Sequence, residues 1–366
     1  MACRGISRRD FLKAMAAASA LTIGSGAAGC VEMVSSAGDT IGNWVGPVPG
    51  VERSARIALK DCMGAKPGER VLIVTDSLRK DLGMPLYDAA LQLGCDASYL
   101  EMKLHTRSGE EPPGEVALAM QDTDVAILAT RYSLTHTEAT RNACANGARI
   151  GSMPIQSEDS ELVRRVFSTG GITANLPRMK KMMRNLVEQL ESISEIRVTT
   201  EQGTDITFEL HKGFWMCDTG TVTAGGGLTN LPGGEVLTVP VDASGVAVID
   251  GSFGDYGLLK SPLELTIENG YCTGAQGDRA DDLNELFAKI GPDARNVAEL
   301  GIGMNPKAQL CGIILEDEKA IGTIHIALGD NANIGGNVHV PIHFDGIVTS
   351  PHIEAEGKTI DLSDYQ

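Results

Sequence analysis

Several things are scarce in this chain, and each scarcity removes a class of function. Its 366 residues carry 31 Lys and Arg against 48 Asp and Glu, a formal charge of −17. Phosphate backbones are held by basic surfaces, so this balance excludes nucleic acid as a partner. No two cysteines stand in a C-x-x-C pair, which leaves neither a zinc-ribbon pattern nor a dithiol redox pattern. There is no P-loop. Aromatic residues make up only 4 % while glycine reaches 43 residues, a composition of many turns and close backbone approaches. The longest weakly polar run, residues 12–29, is too moderate in hydropathy for a membrane span.

The first 29 residues are set aside as a targeting segment. Ser7-Arg-Arg-Asp-Phe-Leu-Lys13, followed by an Ala-rich run, resembles a twin-arginine export signal. Ala27-Ala28-Gly29-Cys30 resembles a lipoprotein cleavage box, so lipid attachment at Cys30, with a periplasmic or otherwise extracytoplasmic membrane-anchored protein, is expected. Gly24-Ser-Gly-Ala-Ala-Gly29 has the spacing of a dinucleotide fingerprint but lies in this leader, without a strand before it, and is rejected. Cys62, Cys95, Cys144, Cys217, Cys272 and Cys311 are widely spread, and a chain this long needs no disulfide staples. They read as free thiols.

Length alone suggests two domains. A Ser, Gly and Pro-rich tether (30–50) precedes an α/β half (51–194). In that half, short apolar strands such as Val71-Leu-Ile-Val-Thr75 alternate with amphipathic helices. This alternation predicts a doubly wound parallel sheet, serving as scaffold or substrate wall. Near residue 195 the period switches to 2: EIRVTTEQGTDITFEL predicts a hairpin around Gln202-Gly203. Residues 195–366 stay β-rich, with one clear helix at 281–289, and form a β-rich α+β metal-binding domain in this reading.

The chemistry concentrates in residues 315–345, which hold three of the seven histidines, His325, His339 and His343. In GTIHIALG, Ile324, Ile326 and Leu328 share one strand face and His325 the other. In HVPIHFD, His343 and Asp345 share a face. If the two strands neighbour each other, His325, His343 and Asp345 converge, a donor set suited to a divalent transition metal. Otherwise they are ordinary strands whose polar faces meet water. Two carboxylates stand beside glycines: Glu235 after Asn230-Leu-Pro-Gly-Gly, and Glu299 in Ala298-Glu-Leu-Gly-Ile-Gly303. Each, taken alone, reads as a solvated turn residue. His105, His136, His211, His339 and His352 have no assigned role.

Taken together, residues 133–154, NLPGGEV, AELGIGMNP, LEDEKAIGTIHIALGDN and IHFDGIV resemble the aminopeptidase T family of metal-dependent, leucyl-type aminopeptidases. The resemblance implies an α/β domain ahead of a β-rich catalytic domain, assembled as a homodimer. It also implies two divalent ions (zinc, cobalt or manganese) on Glu235, Glu299, His325, His343 and Asp345, with Glu299 as the bridge. Glu318 would be a ligand or the general base. The implied reaction is removal of N-terminal residues from peptides by a metal-activated water. Two features depart from the family. Glu318 stands two residues further from His325, and Gly329-Asp330-Asn331 replaces a Tyr that stabilises the tetrahedral intermediate. Two other readings stay open. One is a mononuclear iron ring-opening dioxygenase resembling 2,5-dihydroxypyridine dioxygenase, with His325, His343 and Asp345 as a facial triad. The other is a non-catalytic peptide- or metal-binding lipoprotein.

Overall fold

In the first half, apolar residues on each strand supply both faces at once. The computed structural model describes residues 32–33 and 50–365. Arg70–Asp76 pairs in parallel with Asp96–Met102 on one side and with Val125–Ala129 on the other. Arg149–Ser152 and Gly227–Asn230 extend the sheet, also in parallel, and Glu32–Met33 caps the far edge antiparallel. Alternate residues go to opposite faces. Val71, Ile73, Val125 and Ile127 pack against the helices Val51–Arg56, Lys80–Gln92 and Ser160–Thr169. Leu72, Val74, Ala126 and Leu128 pack against Gly114–Gln121 and Glu138–Ala145. Both faces are apolar because both are covered, the pattern of a doubly wound sheet.

Local chemistry sets where these helices begin. Thr137 caps Glu138–Ala145 by accepting from the Thr140 N–H at 3.2 Å, so the helix starts one residue after Thr137. Asp159 and Asn175 cap the next two helices, Ser160–Thr169 and Leu176–Leu190, in the same way. The first helix, Val51–Arg56, runs on into a wider winding from Ile57 to Cys62.

The second half forms two seven-stranded sheets. One runs Tyr271–Gly277, Leu263–Glu268, Pro240–Ile249, Asp205–Leu210, Glu195–Thr199, His352–Ala355, Lys358–Ile360, antiparallel throughout. Its hairpin at residues 195–210 turns through Gly203, whose φ of +109° a side chain rarely adopts. The other sheet runs Gly257–Leu258, Ser252–Phe253, His343–Thr349, Thr323–Gly329, Val297–Gly303, Glu235–Thr238, Met216–Asp218. The two sheets meet through apolar faces. Leu300, Ile302, Ile324, Ile326, Leu328 and Val348 share one core with Ile206, Phe208, Ala247 and Leu265, under helices Leu176–Leu190 and Ala280–Ile290. The fold is thus mixed α/β, a parallel sheet followed by antiparallel sheets, as the sequence pattern predicts. The strand Gly227–Asn230 comes from beyond residue 195, so the chain returns to its first sheet after the period has changed.

The six cysteines of the described region are free, with Cys62, Cys95 and Cys272 buried. No helix among the described residues is long and apolar enough to cross a membrane. The leader and the Cys30 lipidation box lie outside the described residues.

Candidate metal centre

With one face of the second sheet packed on its partner, the other face carries the polar residues. Register decides which ones meet. In antiparallel pairing, residues directly opposite share a face. Asp218 stands opposite Glu235, and Glu235 opposite Gly303. Glu299 stands opposite Ala327, which stands opposite Asp345. Gly301 faces His325, and Gly329 faces His343. Four strands therefore deliver Glu235, Glu299, His325, His343 and Asp345 to one side.

Small residues make the convergence possible. A Cβ on Gly301 would lie 2.0 Å from His325 Nε2, so the imidazole lies across a backbone with nothing on it. A Cβ on Gly303 would lie 2.1 Å from the Ala320 carbonyl, so that glycine lets the 318–320 segment close over the sheet. The Asn230–Glu235 turn is fastened by Asn305, whose Nδ2 donates to the Gly171 and Gly233 carbonyls at 3.0 and 2.8 Å.

All five ligands expected from the sequence come together. His325 Nε2 lies 3.2 Å from Glu299 Oε1 and 3.3 Å from Glu235 Oε2. His343 Nε2 lies 3.3 Å from both Glu299 Oε2 and Asp345 Oδ1. Two clusters of possible ligand atoms result, Glu235–Glu299–His325 and Glu299–His343–Asp345, sharing Glu299. The whole strand Thr323–Gly329 is buried, so the alternative of a solvated polar face does not hold for His325. Glu235 and Glu299 are likewise buried, not solvated turn residues.

The electrostatics are those of a site built for positive charge. Burial would raise the Glu299 carboxyl, yet the two imidazoles beside it hold it at about 2. Burial would lower His325, but Glu299 and Glu235 push it up to about 9. His343 is raised well above its ordinary value by Asp345 and Glu299, against the effect of burial. Burial lifts Glu235 to about 7. Protonated imidazoles thus balance the buried carboxylates here, the task a metal ion performs when neutral imidazoles turn their lone pairs to it. The donor set fits such an ion. Glu235 Oε2 is buried without a hydrogen bond. His343 Nδ1 donates to the Asp330 carbonyl at 2.6 Å, a partner that fixes the ring with Nε2 toward the carboxylates.

Glu318, expected as ligand or base, reaches the same place but turns to a residue the sequence reading passed over. The fully buried Lys319 puts Nζ 2.7 Å from Glu318 Oε1, 2.5 Å from Glu235 Oε1 and 3.8 Å from Asp218 Oδ2. Burial would lower that ammonium, but the carboxylates around it raise its pKa well above the usual value. His136 was also passed over. It stacks on His343 with centroids 4.6 Å apart and planes at 13°, and its Nδ1 lies 3.3 Å from Asp330 Oδ1. Burial lowers His136, keeping it neutral near pH 7. His339, mostly exposed, holds the other Asp330 oxygen at 2.8 Å. Neither His136 nor Asp330 shows a periodic signal; only their place in motifs 133–154 and 315–345 pointed to this region.

A cavity of about 400 Å³ opens over the centre, bounded by His325, His343, Asp345 and Glu318 below and by Ser108, Thr135 and His136 above. His136 sits after the strand Val125–Ala129, at the carboxyl end of the parallel sheet, where open α/β sheets present ligand-binding loops.

The solved structure of 2,5-dihydroxypyridine dioxygenase from Pseudomonas putida KT2440 superposes with a TM-score of 0.70 at 18 % identity, covering 86 % of this chain and 96 % of that one. Wild-type AmpT from Thermus thermophilus superposes with a TM-score of 0.60, also at 18 % identity, covering 85 % and 96 %. Both share the fold. No curated protein sequence matches. A twin-arginine signal matches residues 5–23, in support of export by that route. The pattern of the 2,5-dihydroxypyridine 5,6-dioxygenases matches residues 54–361. This match overturns the expected metallo-aminopeptidase: the likeness to aminopeptidase T is one of fold, and the enzyme class indicated is an oxidoreductase, not a peptide hydrolase. The missing Tyr agrees, since Gly329-Asp330-Asn331 offers in its place a carbonyl that orients His343. From Ser54 through the last strand, this chain belongs to the 2,5-dihydroxypyridine 5,6-dioxygenase family.

Proposed function

We propose that the protein is an exported, iron-dependent dioxygenase that opens an electron-rich, dihydroxylated heteroaromatic ring. The observation that carries this reading is the family match over 54–361 together with His325, His343 and Asp345 gathered on one buried sheet face. Two imidazoles and one carboxylate form the facial set that ferrous oxygenases use, leaving positions open for substrate and oxygen. A ferrous ion bound there would supply the one-electron chemistry that lets dioxygen react with an organic ring. Zinc, cobalt and manganese are replaced by iron in this reading.

The chain's own residues supply the rest. Glu299 lies between the two histidines and draws both Nε2 atoms to one place. The Asp330 carbonyl sets the His343 tautomer. His136, neutral and stacked on His343 at the cavity wall, is placed to accept a proton from a ring hydroxyl on binding. The cavity of about 400 Å³ suits a single substituted ring. Polar groups around it, Ser108, Thr135 and Asn230 among them, offer hydrogen bonds to ring substituents.

The test is oxygen uptake by mature protein loaded anaerobically with ferrous iron and then given 2,5-dihydroxypyridine. One dioxygen consumed per ring opened, lost on chelation, is the expected result. An enzyme that binds iron yet consumes no oxygen with any dihydroxylated pyridine or benzene would end this reading. The lipid anchor at Cys30 and a homodimeric assembly are carried forward as proposals. Membrane retention after a Cys30→Ser change, and sedimentation of the mature protein, test them.

A further inference from the structure

Away from the ligand cluster, the cavity wall carries one polar group with nothing to bind. Among the described residues, three buried polar atoms on that wall have no hydrogen-bond partner. Glu235 Oε2 and His325 Nδ1 belong to residues of the metal centre. The third is Oε1 of Gln156, a side chain only 8 % exposed. A carbonyl buried in this way costs stability unless a ligand supplies the donor.

Gln156 is held from two sides. The buried guanidinium of Arg79 donates to the carbonyls before and after it, Nε and Nη2 to Ile155 at 3.0 and 2.6 Å and Nη2 also to Ser157. The Ile155 N–H donates in turn to the Thr130 carbonyl at 2.9 Å. At its other end the Gln156 amide donates to Asp255, in the short turn Gly254–Tyr256 of the second half. Asp255 also accepts from the Ser108 N–H at 2.8 Å and from the Ser108 hydroxyl at 2.6 Å. A carboxylate accepts only, so it takes the NH2 group of the amide and leaves the carbonyl as the free end. No lysine or arginine lines the cavity among the described residues, so no cationic side chain of the wall fills that gap. What remains is a fixed acceptor, open to a donor on whatever the cavity holds.

We infer that Gln156 is a specificity-determining residue: its Oε1 accepts a hydrogen bond from an N–H or O–H on the edge of the substrate ring. The inference rests on the reading of the cavity as the seat of a dihydroxylated heteroaromatic ring, and adds which edge groups it selects. A site built to pair such a donor rejects an analogue that lacks it, because the acceptor is then left buried and unpaired.

The experiment is calorimetric titration of the ferrous mature protein without oxygen, where rings bind but are not opened. The probes are 2,5-dihydroxypyridine, whose pyridone form offers a ring N–H and a 5-hydroxyl, its N-methyl form and its 5-methoxy form. Wild type should bind one of the two methylated rings roughly 10- to 100-fold more weakly than the parent. Gln156→Met, of similar length and without the acceptor, should weaken the parent by about the same factor and erase the preference. A wild type indifferent to both methyl groups overturns the inference, and so does a preference that survives in Gln156→Met. Gln156→Leu supplies the same comparison should the Met variant not fold. The oxygenase reading fails separately. Rings sorted by this donor without any oxygen uptake leave the role of Gln156 standing, whereas uptake with an undiminished preference in Gln156→Met refutes that role and leaves the reaction.

Discussion

The parallel sheet and the ligand-bearing antiparallel sheet are both buried on two faces, yet they spend that burial differently. Every residue of Val125–Ala129 is buried and apolar, with Ile127 wholly enclosed, so the strand's worth lies in packing alone. Every residue of Thr323–Gly329 is buried too, but alternate positions go to opposite tasks: Ile324, Ile326 and Leu328 fill a core while His325 joins two carboxylates, Glu235 and Glu299. One sheet is stabilised by what its faces exclude, the other is loaded with charge that only a cation or protons can balance. Scaffold and site can therefore be broken separately.

The largest separation comes from His343→Ala. Removing a ligand should abolish iron retention and oxygen uptake, a loss beyond the roughly 10- to 100-fold that removing a mere supporting partner costs. Thermal stability of the metal-free protein should also fall, because Glu299 and Asp345 lose the imidazole that balances them. The contrast is Ile127→Ala, where metal binding is kept. A cavity in the parallel sheet should cost about 2–5 kcal/mol of stability by denaturant titration, leaving iron stoichiometry at its wild-type value. If Ile127→Ala lost metal, or His343→Ala kept it, the division between the sheets would fail.

A smaller effect is expected where the two regions meet. Glu316, on the short segment Ile314–Asp317, sends Oε1 to the Gly171 N–H at 2.6 Å, and burial raises its carboxyl to about 8. An unfolded glutamate ionises near 4.5, so between there and pH 8 the folded chain binds the extra proton. Stability should fall as pH rises through that window and level off above it, by on the order of 3 kcal/mol. Glu316→Gln keeps an acceptor for Gly171 and removes the ionisation, so its urea midpoint should flatten across pH 5–8. A variant that retains the full slope would place the titrating group elsewhere.

How much of this was legible depends on what each residue answers to. The parallel sheet was readable because runs such as Val71–Thr75 carry the period and composition of doubly covered strands. The ligand set was readable too, since His-x-Asp at 343–345 and the glycine-flanked Glu299 announce one face by alternation. Lys319 was not. It follows Glu318 in a segment with no regular period, and its neighbours Glu235 and Asp218 are far away in sequence, joined to it only by register. His136 was hidden for the same reason: it lies in a loop of the first domain and meets His343 only across the cavity. The enzyme class was misread because the fold is shared by a solved dioxygenase and by AmpT, each at 18 % identity to this chain.

The finest probe of the difference between the sheets is Gly301→Ala. In the scaffold an extra methyl meets packed side chains on every side, and overpacking costs about 1–3 kcal/mol. At Gly301 the nearest atoms are the His325 ring, with Nε2 at 2.0 Å, the far end of a side chain able to rotate. The added Cβ should therefore be accommodated by turning that ring away from Glu299 and Glu235. Alanine is also a better strand residue than glycine, by roughly 0.5–1 kcal/mol, which offsets part of the strain. The expected outcome is metal-free stability within about 1 kcal/mol of wild type together with iron affinity reduced by about 10- to 100-fold, read by competition with a chelator. Affinity unchanged at equal stability would mean that His325 is not held in place by the bare backbone beneath it, and that its strand contributes packing alone, like those of the first sheet.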